Sequence, residues 1–314
     1  MHNLTDILVL LLGTWCGCVG FASVASTEDE SSPTAAPKQE PEKGRPGSNQ
    51  QPAAPDLERE RREAERQARE ILDQEAISAI QETRTAVEAI AANNIEEAMQ
   101  AIERATGRVD ILLASKPAAA LVPVDLEAKV IDTAPRDSIQ ILEIAQDASL
   151  AFDELNFPDA RALLHALMSE VRVRIYNLPL ATYPTALKDA ARLLEQRKSD
   201  DATSILLAAL TTLVAIDQVT PIPLILALDA IKEAQAQLGN AAEALKLLEA
   251  ARNELMRARQ LGYAGKAPEY VSLNEDISKL EKQLRSEEDT GLGFARLREK
   301  LASFLKLQSQ QKRS

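Results

Sequence analysis

Apolar residues recur along this chain in a helical rhythm, broken at intervals by short polar turns. The stretch Gln235–Ala251, QAQLGNAAEALKLLEAA, shows the arrangement most plainly. One helix is expected to end at Leu238 and Gly239 to turn the chain, because glycine enters the left-handed conformation past a helix end without a Cβ clash. Asn240 is placed to cap the next helix, with Glu243 three residues on able to reach back to it. Beyond the turn Ala244, Leu247, Leu248, Ala251 and Leu255 fall on one face, as a buried helical stripe requires. The pattern predicts a helix-turn-helix hairpin.

Three further stretches align on Ala244. Asn94 to Ala98 is followed by Ala101, Ile102 and Ala105; Asn156 to Ala160 by Leu163, Leu164 and Leu167; Lys198 to Ala202 by Ile205, Leu206 and Ala209. Lys198 replaces the cap asparagine in the third of these, so Ser199 or Asp200 is expected to cap there. The anchor alanines 98, 160, 202 and 244 lie 62, 42 and 42 residues apart. A strict solenoid would keep one period, about 34 residues in tetratricopeptide arrays. Paired helices packed into a globule fit better, with small alanines allowing close approach and an insertion between the first two units. The fold class expected is all-α, paired helical hairpins in a globular multi-helix bundle.

Other segments modify that picture. Leu57 to Glu70 reads as a mixed-charge helix with Glu58/Arg62 and Glu65/Arg69 one turn apart, an exposed extension whose charges are solvated. Lys116–Pro135 holds three prolines and should be extended chain or turns. The second unit's helix is expected to run from Ala160 to Ile175 and to stop at Asn177-Leu178-Pro179-Leu180. Ala202–Ile216 is apolar nearly all round and is expected at the centre of the bundle. Thr220-Pro221-Ile222-Pro223 opens the next helix, proline suiting a first turn. A further helix carries Tyr270, Leu273, Ile277, Leu280 and Leu284, and a last amphipathic one carries Phe294, Leu297, Leu301, Phe304 and Leu305. That last helix either docks on the bundle or pairs with another subunit.

The N-terminal region carries an address. Ile7–Ala22 is an uninterrupted apolar run, short for a membrane span and followed by the small-x-small site Ser23-Val24-Ala25. Residues 1–25 therefore read as a secretory signal peptide cut after Ala25. No Lys or Arg precedes the run, so an uncleaved anchor is the alternative. A second alternative is lipid attachment at Cys18, although Trp15 stands where a lipobox has leucine. Both cysteines, Cys16 and Cys18, lie in this run, so cleavage at Ala25 leaves a mature chain without a thiol. Residues 26–56, rich in Pro, Ser, Gln, Glu and Gly, read as a disordered linker. The domain reading is thus a helical hairpin domain over 57–287 and a C-terminal amphipathic helix over 288–314.

The 314 residues carry a net charge of −12, are 45% hydrophobic and only 3% aromatic. An acidic balance argues against binding a phosphate backbone, and sparse aromatics argue against stacking on bases or sugars. No nucleic-acid partner is expected. There is no GxSxG elbow, phosphate loop, HExxH or Cys/His cluster, so no catalytic, metal or cofactor residue is assigned. Glu96-Glu97 and Asp200-Asp201 sit at helix N-termini, where the dipole favours negative charge. His165 flanks an apolar stripe with no companion ligand. Tyr183, Tyr263 and Tyr270 are expected to pack at hairpin ends.

From about Gln74 to Leu284 the chain resembles the YfdX family of secreted bacterial helical proteins. The resemblance rests on the order and spacing of several pieces. These are the hairpin units, Asn177-Leu178-Pro179-Leu180, the Ala-rich pair Asp189–Leu210, Pro221-Ile222-Pro223-Leu224, and Leu261-Gly262-Tyr263 with Tyr270. It implies an all-α periplasmic protein associated with envelope stress, acid stress especially, with chaperone-like binding, no enzyme activity and homo-oligomers. Two functional readings follow. One is a non-enzymatic stress protein binding partly unfolded clients, its acid response carried by Asp and Glu. The other is a constitutive helical scaffold that binds one partner protein or peptide in the envelope. Anchoring to a membrane would run through the N-terminus.

Overall fold

A computed structural model describes residues 57–263 and 268–310, with side chains to residue 306. The stretch read as a signal peptide over 1–25, with Cys18 and the cleavage expected after Ala25, and the stretch read as a linker over 26–56 lie outside the described residues. Within them the chain is 70% helical, with eleven helices and one three-stranded sheet. The predominantly helical fold expected from the apolar rhythm is therefore observed, together with a sheet that the rhythm did not show.

The elements run α1 (Leu57–Arg69), α2 (Gln74–Ala91), α3 (Ile95–Ser115), β1 (Leu121–Asp132), α4 (Ser138–Asp153), α5 (Phe157–Ala166) and β2 (Ser169–Pro179). They continue α6 (Tyr183–Glu195), α7 (Ser199–Thr211), β3 (Val214–Pro221), α8 (Ile222–Ala236), α9 (Ala241–Gln260), α10 (Pro268–Arg285) and α11 (Gly291–Gln310). Each of the first three hairpins is thus followed by a strand, giving three consecutive ααβ units. The strands pair antiparallel in the order β1-β2-β3.

The three turns are built alike. Ala92, Glu154 and Gln196 close the first helix of each pair. Asn93, Leu155 and Arg197 then take positive φ of 56°, 60° and 60°. The next N–H donates back five residues: Asn94 to Ala89, Asn156 to Ala151 and Lys198 to Leu193, at 2.8–2.9 Å. This is the Schellman closure, which satisfies carbonyls that a helix end leaves open. Asn94 and Asn156 then accept the N–H of Glu97 and Asp159 as caps. In the third unit Lys198 itself holds the cap position and makes no side-chain cap bond, so neither Ser199 nor Asp200 takes that role. The α8–α9 turn is different. It is one residue longer, and Gly239 does not adopt positive φ; Gly262, after α9, is the glycine that does. Asn240 still caps α9 through the N–H of Glu243. The anchor alanines 98, 160, 202 and 244 are all buried, as close helix approach requires.

Two helix expectations fail in the same way. The helix begun at Ala160 ends at Ala166, and Ser169–Pro179 is the central strand. Val171, Val173 and Ile175 alternate there with Glu170, Arg172 and Arg174, a period of two that suits a pleated strand. The helix begun at Ser199 ends at Thr211, and Val214–Pro221 is β3. Helix α7 buries only one stripe, Ala202, Leu206 and Ala209, while Leu207 is exposed, so it is not the centre of the bundle. The proline-bearing segment before residue 135 is extended as expected and forms β1, with a register shift between Pro123 and Asp125. Proline lacks the N–H a regular ladder needs there.

The core divides in two. α2–α3 packs against α6–α7 around Ala79, Ala86, Ala101, Ile102, Leu112 and Leu187. Buried Tyr183 donates to Thr83 Oγ1 at 2.8 Å, and Thr83 in turn donates to Ala79 O; burial raises the Tyr183 pKa to about 12. The second cluster joins α8, α9, α10 and α11 through Leu248, Leu255, Ile277, Leu297 and Leu301. The last helix therefore docks on the bundle. Helix α1 is more than a solvated extension. Its charged face is laced with pairs such as Arg61–Glu58 and Arg61–Glu65 at 2.6 Å, while Ala64 and Ala68 lie on Val173 and Ile175 of the sheet.

Candidate protein-interaction surface

The α4–α5 hairpin is held at its root and bare elsewhere. At the root, Arg257 of α9 is buried and donates to Ala134 O at 3.0 Å and to Pro135 O at 3.2 Å, in the turn that launches α4. It also reaches Asp132 at 3.4 Å, which accepts from Ser169 Oγ at 2.6 Å. Tyr263 accepts from the Ser169 N–H and donates to Glu170 Oε2 at 3.0 Å. Burial, with the Glu170 carboxylate beside it, pushes the Tyr263 pKa well up. Burial also raises the Glu254 pKa, and the nearby Arg257 and Arg136 offset this only in part. Glu254 Oε2 and Arg257 Nη1 face each other at 3.6 Å, each without a hydrogen bond. Leu261 and Ile141 fill the apolar part of this root.

Away from the root the hairpin touches little but itself. Its buried residues are small: Ala145, Ala148 and Ala151 on α4 and Ala160 on α5. The opposite side exposes Ile139, Leu142 and Leu150, which fall on one stripe at helical spacing, and the tip exposes Leu155 and Phe157. Phe157 meets Phe152 edge-on with ring centroids 5.7 Å apart. Leu155 is 72% exposed in a left-handed conformation, which costs a non-glycine residue on the order of 1–2 kcal/mol. The corresponding positions in the other two ααβ turns are Asn93 and Arg197, polar residues that belong at an exposed tip.

A second concavity lies between α3 and α6. It is a groove of 710 Å³ floored by Met99, Ile102 and Ala191 and edged by Glu96, Glu103 and Lys188. Gly107 opens onto it, with nothing near the position of a Cβ.

Other residues singled out from the sequence take structural positions. The His165 side chain is exposed, and its carbonyl accepts from Thr133 Oγ1 at 2.6 Å. Tyr270, in the first turn of α10, is buried. Among the described residues no three His, Cys, Asp or Glu side chains converge as a metal would need. No described helix is long and apolar enough to cross a membrane. Sequence reasoning passed over the exposed stripe and Arg257. The stripe had a signal, since Leu155 and Phe157 are apolar where a turn favours polar residues. Arg257 had none.

The class defined by this geometry is a helical protein of three ααβ units with a C-terminal helical bundle. A family model described as YfdX protein matches residues 79–219, which run from within α2 into β3. That stretch, which holds nearly all of the three ααβ units, is where the chain is similar to the YfdX family. The resemblance read beyond it, at Pro221–Leu224 and from Leu261 to Leu284, lies outside the match. Among solved structures, that of Salmonella Typhi YfdX is similar, with 14% identity and a TM-score of 0.33; the alignment covers 48% of this chain and 93% of that one. Comparison with curated proteins gives no match.

Proposed function

We propose that this is an exported, non-enzymatic stress protein that binds partly unfolded segments of other proteins. The observation that carries the reading is the α4–α5 hairpin, anchored at one end and exposing Ile139, Leu142 and Leu150 on the side that no other element covers. An exposed group of large apolar residues on one hairpin, Ile139, Leu142, Leu150, Leu155 and Phe157, is a feature that protein-interaction surfaces share. The match to the YfdX family model over residues 79–219 supports the same reading. Export rests on the apolar run before Ala25, and anchoring, if Cys18 is retained, on that cysteine.

Suppression of heat-induced aggregation of a model client tests it. The wild-type protein is expected to hold the client soluble near equimolar ratio, and Leu155→Asn/Phe157→Ser to lose that effect with its fold intact. No suppression at pH 7 or pH 4 overturns the client-binding reading. Mass measurement of the mature N-terminus from cells separates cleavage after Ala25, a lipid on Cys18 and an intact anchor. The α3–α6 groove favours a second reading, a constitutive scaffold for one partner peptide. A single stoichiometric partner bound at neutral pH, insensitive to the hairpin substitutions, would establish it.

A further inference from the structure

We infer that the α4–α5 hairpin takes a cationic amphipathic helix of a partner protein. This rests on the client-binding reading above and adds to it the charge and shape of the bound segment. Three observations lead there.

The first is placement. α2–α3 packs on α6–α7 and α8–α9 packs on α10–α11, so the other hairpins have a helical neighbour along their length. α4–α5 has one only at its root. The second is the tip. An exposed leucine in a left-handed turn position gains nothing from the fold that surrounds it, and strain of this kind points to a use.

The third is charge. Between residues 137 and 166 six acids, Asp137, Glu143, Asp147, Asp153, Glu154 and Asp159, face one arginine, Arg161, and all six acids are exposed. By contrast α8–α9 carries five acids and five bases. Glu143 and Asp153 lie beside the Ile139–Leu142–Leu150 stripe on the same side of α4. A second copy would set like charges against each other, which opposes self-docking. A helix with an apolar stripe bordered by Lys and Arg would complement both features. Ile139 to Leu150 spans about 16 Å at 1.5 Å per residue, the length of about three helical turns.

Fluorescence anisotropy of the whole protein with two labelled probes tests the inference. One is a helical peptide of about 14 residues with leucines on one face and lysines on the other; its counterpart carries glutamates in place of the lysines. The lysine peptide is expected to bind at least about tenfold tighter, and to weaken as salt shortens the reach of exposed charges. Phe157→Ser should cost about tenfold, since the desolvated aromatic anchor carries much of such an interface. Asp147→Asn/Asp153→Asn/Glu154→Gln should erase the preference for the lysine peptide while thermal unfolding stays unchanged.

Equal binding of the two peptides overturns the charge assignment and leaves client binding standing. Binding that ignores Phe157→Ser places the site elsewhere. A concentration-dependent dimer that Phe157→Ser dissolves identifies a second copy as the occupant and overturns the proposal. If neither peptide binds yet aggregation is still suppressed, this inference fails and the function proposed above survives.

Discussion

The α2–α3 and α4–α5 hairpins follow one local recipe and meet different fates. Both close on a Schellman turn with a left-handed residue, and both are capped by asparagine. Both bury an alanine seam: Ala76, Ala79, Ala86, Ala98, Ala101 and Ala105 in the first, Ala145, Ala148, Ala151 and Ala160 in the second. The first meets α6–α7 and disappears into a core, with polar Asn93 at its tip. The second meets only the root contacts from α9 and keeps its leucines and phenylalanine in solvent. Local code builds a hairpin; what it packs against is a separate decision.

The sharpest way to break the comparison is at the root. Arg257→Ala removes a buried charge that serves two carbonyls and Asp132, and should cost about 3–5 kcal/mol, since the groups left behind stay buried without a partner. Chemical denaturation would read it, and hydrogen exchange should show α4–α5 loosening before α2–α3. In the packed pair, Tyr183→Phe removes one buried hydrogen bond to Thr83 and should cost about 1 kcal/mol by the same denaturation.

The turns offer a stabilising test. Leu155→Gly should raise stability by up to about 1 kcal/mol, because glycine relieves the left-handed strain and the leucine packs little in the fold. Asn93→Gly should gain less, asparagine already tolerating that conformation. Gly107→Ala, in an exposed helix interior with open space for a Cβ, should gain about 0.5–1 kcal/mol in a thermal melt.

Acid separates the two regions more gently. Partial burial acts to raise the Asp73 pKa, but Lys116 and the N–H groups of Ala76 and Glu75 override it and leave it below the usual 3.8. Its contribution is present above that value and is lost as pH falls through the depressed one. Glu254, with its pKa raised above 4.5, has the opposite sign: the fold keeps its proton longer, and stability is lost as pH rises through the raised value. Denaturation midpoints from about pH 3 to 8 should flatten in acid for Asp73→Asn, which reports on α2, and flatten above 4.5 for Glu254→Gln, which reports on the hairpin root.

Much of this was legible in the residues because it is local. Caps at Asn94, Asn156 and Asn240, the buried anchor alanines and the stripe of α11 all follow from spacing and side-chain chemistry within a few turns. The sheet was written less clearly. Ala160–Val171 satisfies a helical stripe and Ser169–Pro179 a strand alternation, and the two overlap. β2 prevails because β1 and β3, distant in sequence, supply its ladder partners on both sides. β3 likewise continues the apolar run of α7 without an obvious break.

Sequence alone determined a mostly helical chain of capped hairpins, since period, caps and alanines act over distances shorter than one hairpin. Tertiary structure alone decided which hairpins are covered. Leu248 is fully buried in the cluster that joins α8 to α11, whereas Leu150 stays in solvent because no distant element covers the outer side of α4. That outcome depends on contacts between distant segments, so no stretch of sequence carries it by itself.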